Sequence, residues 1–255
     1  WRKGGHGWVN IQAALEQSVN TYFYKLALEL GIDRIHDYLA QFGFGAASGL
    51  DLLGENAGVL PSRAWKRGQL GQPWYPGETV IAGIGQGFNV VTPLQLANAV
   101  ATLANGGARH EPRLLYASKH SGKHAGDAQA EREQAPVALR IPVNDPLNWD
   151  IVREGMRLVV HGAQGTARAI RPDPPLQIAG KSGTAQVAAQ AVDEDMNDAT
   201  DAHLRHHALF LAYAPFERPG IAVAAVVEHG GGGSRQAAPV ARAVIDAWVQ
   251  QGLAE

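Results

Sequence analysis

A chain of 255 residues with 45% hydrophobic content can bury one large core, or two small ones at most. Its net charge of −2 gives no reason to expect nucleic acid or an anionic membrane surface as a partner. Cysteine is absent, which excludes disulfides and thiolate metal sites, and no run of 18 apolar residues occurs.

The chain opens without Met in Trp1-Arg2-Lys3-Gly4-Gly5-His6-Gly7, loop-like sequence without a signal-peptide pattern, and reads as part of a longer protein. Residues 10–30 carry the clearest helical periodicity. Ile11, Leu15, Val19, Tyr22, Phe23, Leu26 and Leu30 recur at three- and four-residue spacing, with Asn10 as N-cap and Gly31 as stop. A second helix is expected over 33–42. Residues 44–91 are rich in Gly and Pro and are expected to be irregular, apart from a short helical piece near 62–66. So long an irregular stretch inside a domain is more often functional than idle. Thr92 and Pro93 open a helix that runs through Leu94, Leu96, Val100 and Leu103 to Asn105.

A short strand is expected at 114–117, a polar surface excursion at 119–134, and a returning strand at 137–143. Asn144-Asp145-Pro146 caps a helix through Trp149, Val152, Met156 and Val159 to Gly162, and a short piece at 166–170 follows. Residues 176–188 then form an apolar run interrupted by Gly180 and Gly183, which reads as a buried strand whose backbone comes close to something. After an acidic, polar loop at 193–201, two strands at 208–214 and 221–228 flank a turn holding Pro215 and Pro219-Gly220. Gly230 to Gly233 read as a flexible joint before an amphipathic helix over 239–250. Helices first, then antiparallel strands, then a helix across them indicate an α+β layered domain.

Two stretches carry candidate chemistry. Lys181-Ser182-Gly183-Thr184 offers one ammonium, two hydroxyls and exposed backbone. That set suits a substrate with a carboxylate beside a reactive carbonyl: the ammonium attracts the anion, the hydroxyls donate to it, and a backbone N–H faces a developing oxyanion. The bland reading is a strand edge with a solvated lysine. Far upstream, Ser18 and Asn20 sit within the first predicted helix, where each costs roughly 0.5 kcal/mol against Ala. Two positions apart on a helix, their side chains diverge unless a helix end or a cleft gathers them. The bland reading there is a chance pair on a surface helix.

Together, Ser18-Val19-Asn20 and Lys181-Ser182-Gly183-Thr184 resemble the second and third motifs of the class B penicillin-binding proteins, in that family's chain order. Gly83-Ile84-Gly85-Gln86-Gly87 with Thr92-Pro93-Leu94-Gln95-Leu96-Ala97 is similar to the segment ahead of the family's long helix. Gly4 to Trp8, and Lys66-Arg67 through Pro73-Trp74-Tyr75, resemble its elongation-specific branch. The first motif is missing: no Ser in this chain is followed by Lys three positions on. The resemblance therefore implies that the nucleophilic serine, its lysine base, a pedestal domain and a membrane anchor belong to sequence before Trp1.

What the resemblance implies is a transpeptidase fold shared with serine β-lactamases, an antiparallel sheet flanked by helices with a helical subdomain. The implied activity is peptidoglycan D,D-transpeptidation through a serine acyl-enzyme, inhibited by β-lactams. Ser18 would relay a proton, Asn20 would hydrogen-bond the substrate's peptide carbonyl, and Lys181 would polarise Ser18 and attract the terminal carboxylate. Ser182 and Thr184 would grip that carboxylate, with Gly183 between them and the Thr184 N–H as half of an oxyanion hole. The implied partners are the stem peptide, β-lactams, and a membrane glycosyltransferase and scaffold of the elongation complex, at the periplasmic face of the inner membrane. No cofactor or metal is expected. His203, His206 and His207 read as a solvated loop entering a strand, and the acidic run at 193–201 lacks a calcium-loop spacing. Trp65 and Trp74 are expected to pack the long loop. The rival readings are a serine β-lactamase and a catalytically silent β-lactam-binding or scaffold module.

Overall fold

The computed structural model describes residues 4–114, 137–187 and 205–252. Its elements run α1 (Ile11–Glu16), α2 (Asn20–Leu30), α3 (Ile32–Ala40), α4 (Arg63–Leu70), α5 (Pro76–Ala82), α6 (Pro93–Ala104), β1 (Ala108–His110), β2 (Val137–Arg140), α7 (Leu147–His161), a 3₁₀ turn (Arg168–Ile170), β3 (Ala179–Ala185), β4 (His207–Ala214), β5 (Ile221–Val227) and α8 (Gly233–Gln250). β3, β4 and β5 form an antiparallel sheet in that spatial order, with Lys181 opposite Leu211 and Ser182 opposite Phe210. β1 and β2 pair separately. The expected strand at 114–117 and the excursion at 119–134 lie almost wholly outside the described residues.

Alternation along β4 explains why both faces of the sheet are covered. Ala208, Phe210, Ala212 and Ala214 point to one face and pack with Ala237, Ala238, Ala241 and Ile245 of α8 and Val159 and Val160 of α7. Leu211 and Tyr213 point to the other, against Val100, Leu103 and Ala104 of α6. Alanine on both sides of the β4–α8 contact lets the helix approach closely. Gly180 serves the same packing: a Cβ there would stand 2.7 Å from the Phe210 ring, so this glycine makes room for a core aromatic, not for a ligand.

The long Gly- and Pro-rich stretch is more ordered than its composition suggests. α4 starts at its Ser62 cap, whose Oγ accepts from the Trp65 N–H at 3.0 Å, and runs four residues beyond the expected piece. α5 was not expected at all; Pro76 in its first turn and Glu78, which accepts from the Tyr75 N–H at 2.8 Å, start it. Lys66, 1% exposed, ion-pairs with Glu78 and lies 4.6 Å over the Tyr75 ring, while Trp65 and Trp74 pack on Phe88. The two tryptophans do pack the loop, as expected. Buried Gln95 holds the segment before α4, donating to the carbonyls of Ala46 and Ala57 at 2.9 Å each.

α8 begins six residues earlier than expected and carries Pro239 within it. Gly233, read from sequence as part of a flexible joint, is the first residue of this helix. A Cβ on it would lie 2.3 Å from the Leu209 carbonyl oxygen and 2.4 Å from that of Gly183. Backbone on both sides cannot give way as a side-chain end could. Gly233→Ala is therefore expected to destabilise the protein by roughly 1–3 kcal/mol. Denaturant unfolding checks this, with an unchanged midpoint contradicting the close approach.

Candidate active site

The periodicity over residues 10–30 does not make one helix. α1 ends at Glu16, and Ser18 adopts φ 55°, a left-handed conformation rare outside glycine. Val19 then precedes α2 with its side chain buried, and Asn20 is the first residue of that helix, exposed to solvent. The Val19 N–H still reaches the Ala14 carbonyl at 2.9 Å, so apolar positions stay on the core side across the break. A left-handed Ser costs about 1–2 kcal/mol, and such strain persists only where the surroundings impose it. Ser18 and Asn20 thus flank a helix junction instead of diverging around one helix.

The junction faces β3. Lys181 Nζ donates to Ser18 Oγ at 2.8 Å, across 163 residues of sequence, and to its neighbour's Ser182 carbonyl at 2.8 Å. Burial pushes the Lys181 ammonium from its ordinary 10.5 down to about 8. Among the described residues no ion pair offsets that cost. The result is an amine near its own titration point, hydrogen-bonded to a hydroxyl. Such a pair can pass a proton in either direction at neutral pH.

The remaining residues of the lysine stretch divide by strand face. Ser182 Oγ lies 3.5 Å from Thr166 Oγ1. Glu16 ties that neighbour in place: its carbonyl accepts from the Thr166 N–H at 3.2 Å and its carboxylate from the Gln164 N–H at 2.8 Å. Gly183 sits opposite Leu209 on β4. Thr184 is exposed, and its carbonyl accepts from the side-chain amide of Gln86. Gln86 was not picked out from sequence as a site residue. The available signal was its position between Gly85 and Gly87, both at positive φ, in a loop that Asn89 braces by donating to the Gln86 carbonyl at 2.9 Å.

A cavity of about 680 Å³ opens elsewhere, between α2, α3 and residues 82–89, lined by Phe23, Leu26, Leu30 and Ile35 among others. Neither Ser18, Asn20 nor Lys181 lines it. The His229 N–H donates to His207 Nδ1 at 3.0 Å, and the Val187 N–H approaches His206 Nδ1 at 3.4 Å. His203 and the acidic run at 193–201 lie outside the described residues. Among the described residues no group of three His, Cys, Asp or Glu is placed to hold a metal ion.

Comparison with known proteins places this geometry in context. Residues 1–246 match the penicillin binding protein transpeptidase domain. The peptidoglycan D,D-transpeptidase MrdA of Haemophilus influenzae is 39% identical over 256 residues, spanning 99% of this chain but only 38% of that relative's length. The crystal structure of Pseudomonas aeruginosa penicillin-binding protein 2 in complex with WCK 5153 is similar with a TM-score of 0.78 at 46% identity, covering 97% of this chain and 51% of that one. A Helicobacter pylori complex of penicillin-binding protein 2 with MreC gives a TM-score of 0.77 at 30% identity, covering 99% and 42%.

The depressed lysine has a consequence for stability. Its folded value lies below its unfolded one, so the penalty is fully present below about pH 8 and fades as pH rises toward 10.5. Lys181→Met is expected to stabilise the protein by roughly 1–2 kcal/mol at pH 7, after allowing for the hydrogen bonds lost. Thermal unfolding at pH 7 and pH 10 checks both the sign and the narrowing of the gap. A variant less stable than the parent at pH 7 would contradict the burial cost.

Proposed function

Because this chain belongs to the penicillin-binding protein transpeptidase family, we propose that it forms most of the transpeptidase domain of a peptidoglycan D,D-transpeptidase. The observation that carries the reading is the 2.8 Å contact between Lys181 Nζ and Ser18 Oγ, which unites the two candidate motifs. The α+β layering and the similarity to penicillin-binding protein 2 structures support it. The nucleophilic serine and its lysine base would come from sequence outside residues 1–255, since no Ser here is followed by Lys at the third position.

In the proposed reaction the outside serine attacks the penultimate carbonyl of a D-Ala-D-Ala stem peptide. The oxyanion is held by the Thr184 N–H and by the nucleophile's own N–H. The C–N bond breaks and D-Ala leaves as an amine, with Ser18 relaying it a proton along the path that Lys181 orients. An amine on a second stem peptide then displaces the serine oxygen, completing the cross-link. Asn20 would donate its amide to the donor peptide's carbonyl. Ser182 and Thr184 would hold the terminal carboxylate within the potential of Lys181, with Gly183 leaving the strand free of side chain between them.

By the same reading the protein acts during cell elongation at the periplasmic face of the inner membrane, held there by an anchor outside this chain. No helix among the described residues is long and apolar enough to cross a membrane. A scaffold partner is supported by the Helicobacter pylori complex, and a membrane glycosyltransferase is the proposed source of the glycan strands to be joined. A catalytically silent β-lactam-binding or scaffold module is the reading that the missing nucleophile would favour. Labelled-penicillin gels separate the two.

The full-length protein is expected to form a covalent adduct, residues 1–255 alone to form none, and Ser18→Ala to slow adduct formation by about 100-fold or more. Full-length protein that stays unlabelled would overturn the enzyme reading, and rapid hydrolysis of nitrocefin would indicate a β-lactamase instead. The efficiency of acylation by an anionic penicillin should fall above about pH 8, where Lys181 loses its charge, and fall further than that of the methyl ester, which keeps the Ser18 proton path but lacks the anion. Identical profiles for acid and ester would remove the carboxylate role given to Lys181.

A further inference from the structure

Among the described residues β3 is an edge strand, so one row of its backbone groups has no strand partner there. Two carbonyls in that row are instead capped by side chains. The Ser182 carbonyl accepts from Lys181 Nζ at 2.8 Å, and the Thr184 carbonyl accepts from Gln86 Nε2. The Gln86 carboxamide goes further, since its Oε1 also faces the Gln186 N–H at 3.4 Å. One residue's C=O and the N–H two positions on are the pair that a residue of a parallel neighbouring strand would engage. Gln86 therefore stands in for a strand at the end of β3.

Its loop is built to hold it there. The Gln86 N–H donates to the Ile81 carbonyl at 3.2 Å, and Asn89 donates to the Gln86 carbonyl. Phe88 is fixed against Trp65 and Trp74, and Val90 pairs with Val59. The backbone is anchored, while the side chain itself is only half-buried, so a ligand can reach it.

We propose that Gln86 is a displaceable latch on the donor site: its carboxamide holds the Thr184 carbonyl until a ligand's own amide N–H takes its place. The inference rests on the transpeptidase reading of β3. An extended acyl-peptide laid along a free strand edge gains its affinity from such main-chain hydrogen bonds. In an antiparallel strand the N–H and C=O of one residue point to the same side, so the Thr184 N–H that faces the oxyanion and the carbonyl that Gln86 holds share one edge. A ligand whose reactive carbonyl sits beside an acylated amine can therefore exchange its N–H for that of Gln86. A ligand without this N–H binds with the latch left closed and gains nothing at Thr184. The latch thus turns the ligand's contact with Thr184 into an exchange of hydrogen bonds instead of a new one, and so narrows the preference for an acylamino group next to the scissile bond.

The test compares acylation of the full-length protein by benzylpenicillin and by penicillanic acid, which lacks the acylamino group, with and without Gln86→Ala. Opening the latch should raise the benzylpenicillin-to-penicillanic-acid ratio of acylation efficiencies by about threefold to tenfold, the span of one net hydrogen bond. Gln86→Glu, which keeps the shape but loses the donor, should move the ratio in the same direction and carries the test if the alanine variant folds poorly. An unchanged or lowered ratio in a folded variant would overturn the latch. Wild-type protein acylated by neither compound would instead sink the transpeptidase reading on which the latch rests.

Discussion

The hydrogen bond between Lys181 and Ser18 is the contact on which the site depends, because it joins a helix junction to a strand edge 163 residues away. Everything around it serves to bring those two atoms together. Ser18 sits in a left-handed turn between α1 and α2, where its hydroxyl accepts from Lys181. Glu16, at the end of α1, binds the loop after α7 and so keeps the junction against β3. On the other side, α8 starts at a glycine pressed onto the carbonyls of Gly183 and Leu209, which fixes the height of β3 in the sheet.

Neither partner is in a comfortable state. Ser18 holds a backbone conformation that costs about 1–2 kcal/mol, and Lys181 keeps an ammonium where burial opposes its charge. Set against a net stability of roughly 5–15 kcal/mol for a domain, these are sizeable debits. The offset comes from well-packed apolar contact on both faces of the sheet, above all the alanine-lined seam between β4 and α8. A rigid scaffold thus holds a strained, partly desolvated pair in a geometry that neither residue would choose alone.

Much of the site was legible in the sequence because it is written in short local patterns. The lysine stretch is flanked by apolar residues at strand spacing, and its place on β3 followed from that. The junction at Ser18 was hidden for a physical reason: Val19 stays buried and its N–H still reaches Ala14, so the apolar rhythm runs through a break in the helix. α5 escaped notice since its start depends on Glu78 folding back onto Tyr75 and on a buried Lys66 reached through space. Gly180 and Gly233 both read as freedom and turn out to be contact, the first under Phe210 and the second against backbone. Gln86 was marked in the sequence only by the glycines on either side of it, and its contact lies with a carbonyl 98 residues away.

If Ser18 and Lys181 act as one unit, their contributions to acylation cannot add. A double-mutant cycle on the full-length protein, with Ser18→Ala, Lys181→Met and the pair, measures this coupling through acylation rates. The account predicts that the double variant is no slower than the slower single variant. Losses that multiply across the two substitutions would mean that the residues act independently, and the shared proton path through their hydrogen bond would have to be abandoned.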